Sequence, residues 1–96
     1  MTTTEIALAD VWPPPYLIRA ARTLVGIDQA TLAKHARVSR KAIVTLEGDE
    51  SAVLDYRRVA VLEKAAETLE KRFGVMFIKS SGGHGEGVRL ARPKRG

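Results

Sequence analysis

The sequence predicts a mainly α fold: a small bundle built around two short helices joined by a tight turn, with a long fourth helix and a C-terminal β-hairpin. Three observations predict it. Residues 28–48, D-Q-A-T-L-A-K-H-A-R-V-S-R-K-A-I-V-T-L-E-G, hold two short runs of helical apolar spacing, each preceded by a capping residue. Residues 55–73 carry apolar side chains three and four apart. Beyond Gly74 the period changes to that of strands.

Residues 1–13 form an N-terminal arm, polar at first and then loosely apolar, expected to fray while docking Trp12 on the body. Pro13, Pro14 and Pro15 stiffen the entry to the first helix, whose first turn accepts proline because the missing N–H has no partner there. Leu17, Ala20 or Ala21, and Leu24 then recur at helical spacing to about Val25, and Gly26 ends the run before Ile27 turns into the core. Arg19 and Arg22 stand on this helix. Arg19 is expected in solvent, within reach of a phosphate.

The second helix starts at Asp28, whose carboxylate can accept a backbone N–H. Leu32, Ala33 and Ala36 fall on one face, and Ala33 is small enough to let two steeply crossing helices approach. Val38 fills the turn, Ser39 caps the third helix, and Ile43 and Leu46 point inward. Arg40, Lys41, Val44 and Thr45 are left facing out, a set of side chains suited to base edges. G-D-E-S-A-V-L-D then reads as a loop, with an acidic cluster at Asp49 and Glu50.

Asp55 caps the long helix, whose seam is Val59, Leu62, Ala66, Leu69 and Phe73, widened by Tyr56 and Ala65. The helix is longer than a three-helix core can cover. Its far end, Leu69 and Phe73, together with Val75 and Phe77 of the next segment, is therefore expected to be a dimerisation surface. Residues 74–91 form the hairpin: V-M-F-I and G-V-R-L-A flank the turn residues S-S-G-G-H-G-E. A lone hairpin is marginal in water, so it must lie on the body, pair with a twin, or receive a partner. Residues 92–96 are a basic tail in which Arg92, Lys94 and Arg95 add salt-sensitive attraction to a polyanion.

Ninety-six residues with 45% apolar content suit one compact domain, too small for an enzyme-sized cavity in a second layer. The formal net charge is +5, with most of the excess in residues 74–96 and in the segment holding the two short helices. Such a bias favours a polyanionic partner. With no cysteine there is neither a disulfide framework nor a thiolate metal site. No basic start precedes an apolar run, and no run approaches a membrane span, so the expected location is cytoplasmic.

Catalytic chemistry finds little support. His35, on the outer face of the second helix, and His84, in the glycine loop, are expected to be exposed, with no ligand at metal spacing. Ser39 is better explained as a cap than as a nucleophile, since no base is in register with it. The Gly82, Gly83, Gly85, Gly87 cluster lacks the Lys-Ser or Lys-Thr of a phosphate loop. No enzyme activity, cofactor or metal is expected.

Gln29 opening the second helix, Ala33 at its small-residue position, and V-S-R-x-x-I-x-x-L-E at Val38, Ser39, Arg40, Ile43, Leu46 and Glu47 resemble the helix-turn-helix of the Cro/CI, or xenobiotic-response-element-like, regulators. The resemblance covers residues 16–73. It implies a lambda-repressor-like bundle, with residues 14–73 as the DNA-binding domain, and a buried ion pair between Arg22 and Glu47. The family usually has Gly in the turn where this chain has Arg37, which must then take a left-handed conformation at a cost of about 1 kcal/mol. The resemblance also implies that Gln29 holds a phosphate beside the helix N-terminus. Arg40 and Lys41 would then donate to guanine, Thr45 would touch a thymine methyl or accept from a base amine, Val44 would add an apolar contact, and Ser39 would donate to phosphate.

The function expected is that of a transcriptional regulator, a repressor or autoregulatory controller, binding an inverted-repeat operator in double-stranded DNA as a homodimer through the major groove. The alternative is an antitoxin or protein-interaction module, with a protein partner at the hairpin or N-terminal arm and DNA binding secondary.

Overall fold

Helix starts and stops follow local capping chemistry along the chain. A computed structural model describes residues 5–93. Met1–Thr4 of the expected arm and Lys94–Gly96 of the expected tail lie outside the described residues. In order, the described elements are β1 (Glu5–Ala7), a 3-10 turn (Leu8–Asp10), α1 (Pro15–Val25), α2 (Gln29–Ala36), α3 (Arg40–Glu47), β2 (Val53–Asp55), α4 (Tyr56–Phe73), β3 (Val75–Ile78) and β4 (Gly87–Leu90). None of these helices is long and apolar enough to cross a membrane.

Proline opens α1 at its first position, and Gly26 closes it in the left-handed region at φ 75°, where a side chain would be strained. Asp55 caps α4 by accepting the Arg58 N–H at 2.9 Å. Gly74 ends α4 at φ 68°, and its carbonyl accepts the Ala91 N–H at 2.7 Å, which closes the base of the hairpin. In that hairpin β3 and β4 are antiparallel, with Val75 opposite Leu90 and Ile78 opposite Gly87. Gly82 and Gly83 take positive φ in the tip, between reciprocal backbone bonds of Ser81 and His84.

The core is one cluster in which Ile18, Leu32, Ile43, Leu46, Leu54, Leu62 and Leu69 are fully enclosed. Each contributes about 1.5–3 kcal/mol relative to an exposed side chain. The hairpin packs on α1 and α4, and α4 also packs on α2 and α3. Ala21, rather than Ala20, is the buried alanine of α1.

Several expectations are corrected. From Glu5 onward the N-terminal arm is built into the domain: β1 pairs antiparallel with β2, Ile6 opposite Leu54, and the Leu8 N–H donates to Ala52 O at 2.8 Å. The stretch expected as loop after α3 therefore ends in a strand, and Leu54 is core. Tyr56 does not widen the α4 seam; it is 69% exposed.

Leu69 and Val75, expected at a dimer surface, are buried inside the single chain, and Phe73 and Phe77 pack half-buried against the same core. The far end of α4 is covered by α2 and by the hairpin, which return to it. His35 is half-buried rather than exposed. Its ring meets Phe73 edge-on at 5.4 Å, and its Nδ1 lies 3.3 Å from Arg72 Nη1.

Candidate nucleic-acid interface

The three residues Arg37, Val38 and Ser39 join α2 to α3 and set the angle between them. Asp28 caps α2 by accepting the Thr31 N–H at 2.8 Å, and this bond holds its carboxyl below the usual carboxylate range. Arg37 is left-handed, φ 61° and ψ 43°, the one non-glycine residue with positive φ among the described residues. The Val38 N–H then reaches back to Ala33 O at 3.1 Å, and Ser39 Oγ caps α3 by accepting the Ala42 N–H at 3.0 Å. Ala33 is buried between the helices while Ile43 and Leu46 seal the inner face of α3. A larger side chain at Ala33 would separate α2 from α3.

The end of α3 is anchored to α1 by an ion pair. Arg22 donates to Glu47 twice, Nε to Oε2 at 2.8 Å and Nη2 to Oε1 at 2.9 Å, and its Nη1 donates to Ile27 O at 3.0 Å. The hydrogen bonds that Arg22 donates to Glu47 hold its guanidinium above its ordinary value. The Glu47 side chain is 4% exposed, so these donors stand in for the water it has lost. Gln29 joins the group: its Nε2 donates to Glu47 Oε1 at 3.1 Å. One amide proton of Gln29 is thereby directed at Glu47, leaving the other for an outside acceptor.

Ser39, Arg40, Lys41, Val44 and Thr45 are all exposed and lie on or just before one eight-residue helix. Grooves run along both sides of that helix. Arg19, Gln29, Arg40 and Val44 line one, together with Arg22 and Glu47. Lys41, Thr45, Arg57 and Arg58 line the other. Exposed cations thus stand on both flanks of the polar face, among the capping carboxylates Asp28 and Asp55. Arg58 is already engaged with Asp49. The Asp49 carboxyl is held low first by the Ser51 N–H, 2.8 Å away, and then by Arg58.

Arg57 was not singled out among the sequence-derived site residues. The signal was present: it lies in the first turn of α4, where positive charge opposes the helix dipole and needs another reason to be there. The same consideration marks Arg40 and Lys41.

Among the described residues no group of three or more His, Asp or Glu side chains is arranged to hold a metal ion. His84 is exposed at the hairpin tip. No protein-family model matches the chain, and neither a curated protein nor a solved structure is significantly similar to it.

Proposed function

We propose that this chain is a sequence-specific DNA-binding transcriptional regulator of Cro/CI type, with a lambda-repressor-like bundle that inserts α3 into the major groove. What supports it is one observation: Arg40, Lys41, Val44 and Thr45 face solvent together from a helix whose opposite side is sealed into the core. A rigid helix of this kind, with donors and a small apolar surface on one side, meets the varied donor and acceptor pattern of the major groove. Arg40 and Lys41 read guanine, Thr45 and Val44 meet thymine, and Ser39 and Gln29 contact phosphate. Arg19 and Arg57 attract the two backbones that border the groove.

The regulator acts as a homodimer in the cytoplasm, a two-fold pair placing two α3 helices about 34–36 Å apart and so selecting an inverted repeat. With Leu69 and Val75 enclosed in the monomer, the outward side of the hairpin at Met76, 40% exposed, is the apolar surface left there for the contact. Regulation follows from occupancy of the promoter, as a repressor or an autoregulatory controller. The test is selection of bound duplexes from a random pool by gel shift. Enrichment of an inverted repeat is expected, and a pool that stays random through repeated rounds would overturn the proposal.

The antitoxin or interaction-module alternative draws on a separate observation. The N-terminal segment and the hairpin, the two places expected to grip a protein, line one surface together, the hairpin through Lys79, Ser80 and Glu86.

A further inference from the structure

Away from α3, the N-terminal segment, Tyr16 at the start of α1, Ala52 and Glu86 of the hairpin loop border a groove of about 520 Å³. Leu8, Val11 and Trp12, each half-buried, line it with Tyr16, which is 53% exposed. It continues past Trp12 to Asp10, Lys79 and Ser80, with Glu86 common to both parts. None of its lining residues lies on α3.

Trp12 and Tyr16 supply large, rigid contact area at low entropic cost, which is why such residues dominate binding energy at protein interfaces. The electrostatics of the groove select the occupant. Asp10 and Glu86 are exposed, and neither is in an ion pair among the described residues. Among the described lining residues, Lys79 alone stands against them, its ammonium 5.6 Å from the centre of the Trp12 ring. The described lining therefore carries one net negative charge on a chain whose net charge is +5. A cation is drawn to such a place and an anion turned away.

We propose that this groove binds an extended peptide segment of another protein, seating leucine or proline side chains on Trp12 and Tyr16 and a lysine or arginine beside Asp10 and Glu86. A nucleic acid is disfavoured there because its phosphates would meet both carboxylates. So is a second copy, since a two-fold contact through the groove would bring the carboxylates of each copy against those of the other.

Trp12 is the only tryptophan in the chain, so its emission reports on the groove. The full chain is titrated with the synthetic peptide Ac-LPRLPRLP-NH2 and with its counterpart Ac-LPELPELP-NH2 at low salt. A saturable change in emission with the arginine peptide alone is expected. In the D10N/E86Q variant the affinity should fall about fivefold, the scale of two exposed charge pairs. In Tyr16→Ala it should fall further, with the helical circular dichroism unchanged. The proposal is overturned by no saturable change with the arginine peptide, by equal binding of the glutamate peptide, or by D10N/E86Q binding as the parent does. It is likewise overturned if sedimentation finds self-association that Tyr16→Ala abolishes, which would assign the groove to a second copy. No residue assigned to DNA is altered, so these outcomes are independent of the DNA-binding proposal.

Discussion

Arg22 and Glu47, 25 residues apart in sequence, meet through two hydrogen bonds of 2.8 and 2.9 Å and join the C-terminal end of α1 to that of α3. The pair is a geometric clamp on the helix that carries Arg40, Lys41, Val44 and Thr45. Because both partners are desolvated, the net contribution of the pair to stability is small, while losing one partner leaves the other charge uncompensated.

Arg22→Ala should therefore destabilise the fold by about 3 kcal/mol. Arg19, on the same helix and exposed, has no charged partner to strand among the described residues, and Arg19→Ala should stay within about 0.5 kcal/mol of the parent. Urea denaturation of both variants measures the difference. Equal midpoints would remove the clamp.

The turn between α2 and α3 makes a second prediction. Arg37 is held at φ 61° with its side chain exposed, so its Cβ is strained while its guanidinium makes no hydrogen bond or ion pair among the described residues. Arg37→Gly should raise stability by about 0.5–1 kcal/mol, the left-handed strain relieved being partly offset by the extra freedom glycine has when unfolded. A lower melting temperature would mean that the Arg37 side chain contributes more than its backbone costs.

Acid sensitivity follows from Asp28 and Asp49. Both carboxyls are held below the usual carboxylate range, chiefly by the backbone N–H groups of Thr31 and Ser51 respectively. A carboxyl whose folded value is depressed stabilises the fold above its unfolded value, near about 3.9, and that stabilisation is lost as pH falls through the folded value. Stability should thus be level from neutrality to about pH 5 and then decline. Asp28→Asn keeps an amide oxygen able to cap α2 but cannot titrate, so its urea midpoint should fall less steeply with acid than the parent's. Parallel acid limbs in the two proteins would contradict this.

How far the sequence reveals the fold depends on the range of the cause. The boundaries of α2 and α3 are legible because their determinants are local: Asp28 and Ser39 each cap a backbone donor three residues on. The hairpin is legible because Gly82 and Gly83 sit between two runs of strand spacing. The pairing of β1 with β2 is not, since three residues such as Glu5–Ala7 carry too little periodicity to announce a partner that far along the chain. Leu69 and Val75 illustrate a different limit. Their apolar spacing says that something covers them, and only the packing of α2 and the hairpin on α4 says that the cover comes from the same chain. For the candidate interface, spacing along α3 identifies its outward side chains. The flanking position of Arg57 depends on how α4 packs beside α3.

That packing separates two kinds of cation in DNA binding. If α3 reads bases, Arg40→Ala and Lys41→Ala should each weaken binding to the selected operator by about 1–3 kcal/mol, with little effect on random duplex and no effect on the melting temperature. Arg19 and Arg57, on opposite flanks of the same helix, should behave differently. Each replacement by alanine should weaken operator and random duplex alike and make the dependence of log K on log salt shallower by about 1, because one fewer phosphate is neutralised. Gel shifts across a salt series distinguish the patterns. Were Arg57→Ala to leave the slope unchanged while Arg40→Ala lost specificity, α3 would still read the groove, but the α4 side of it would lie clear of the backbone.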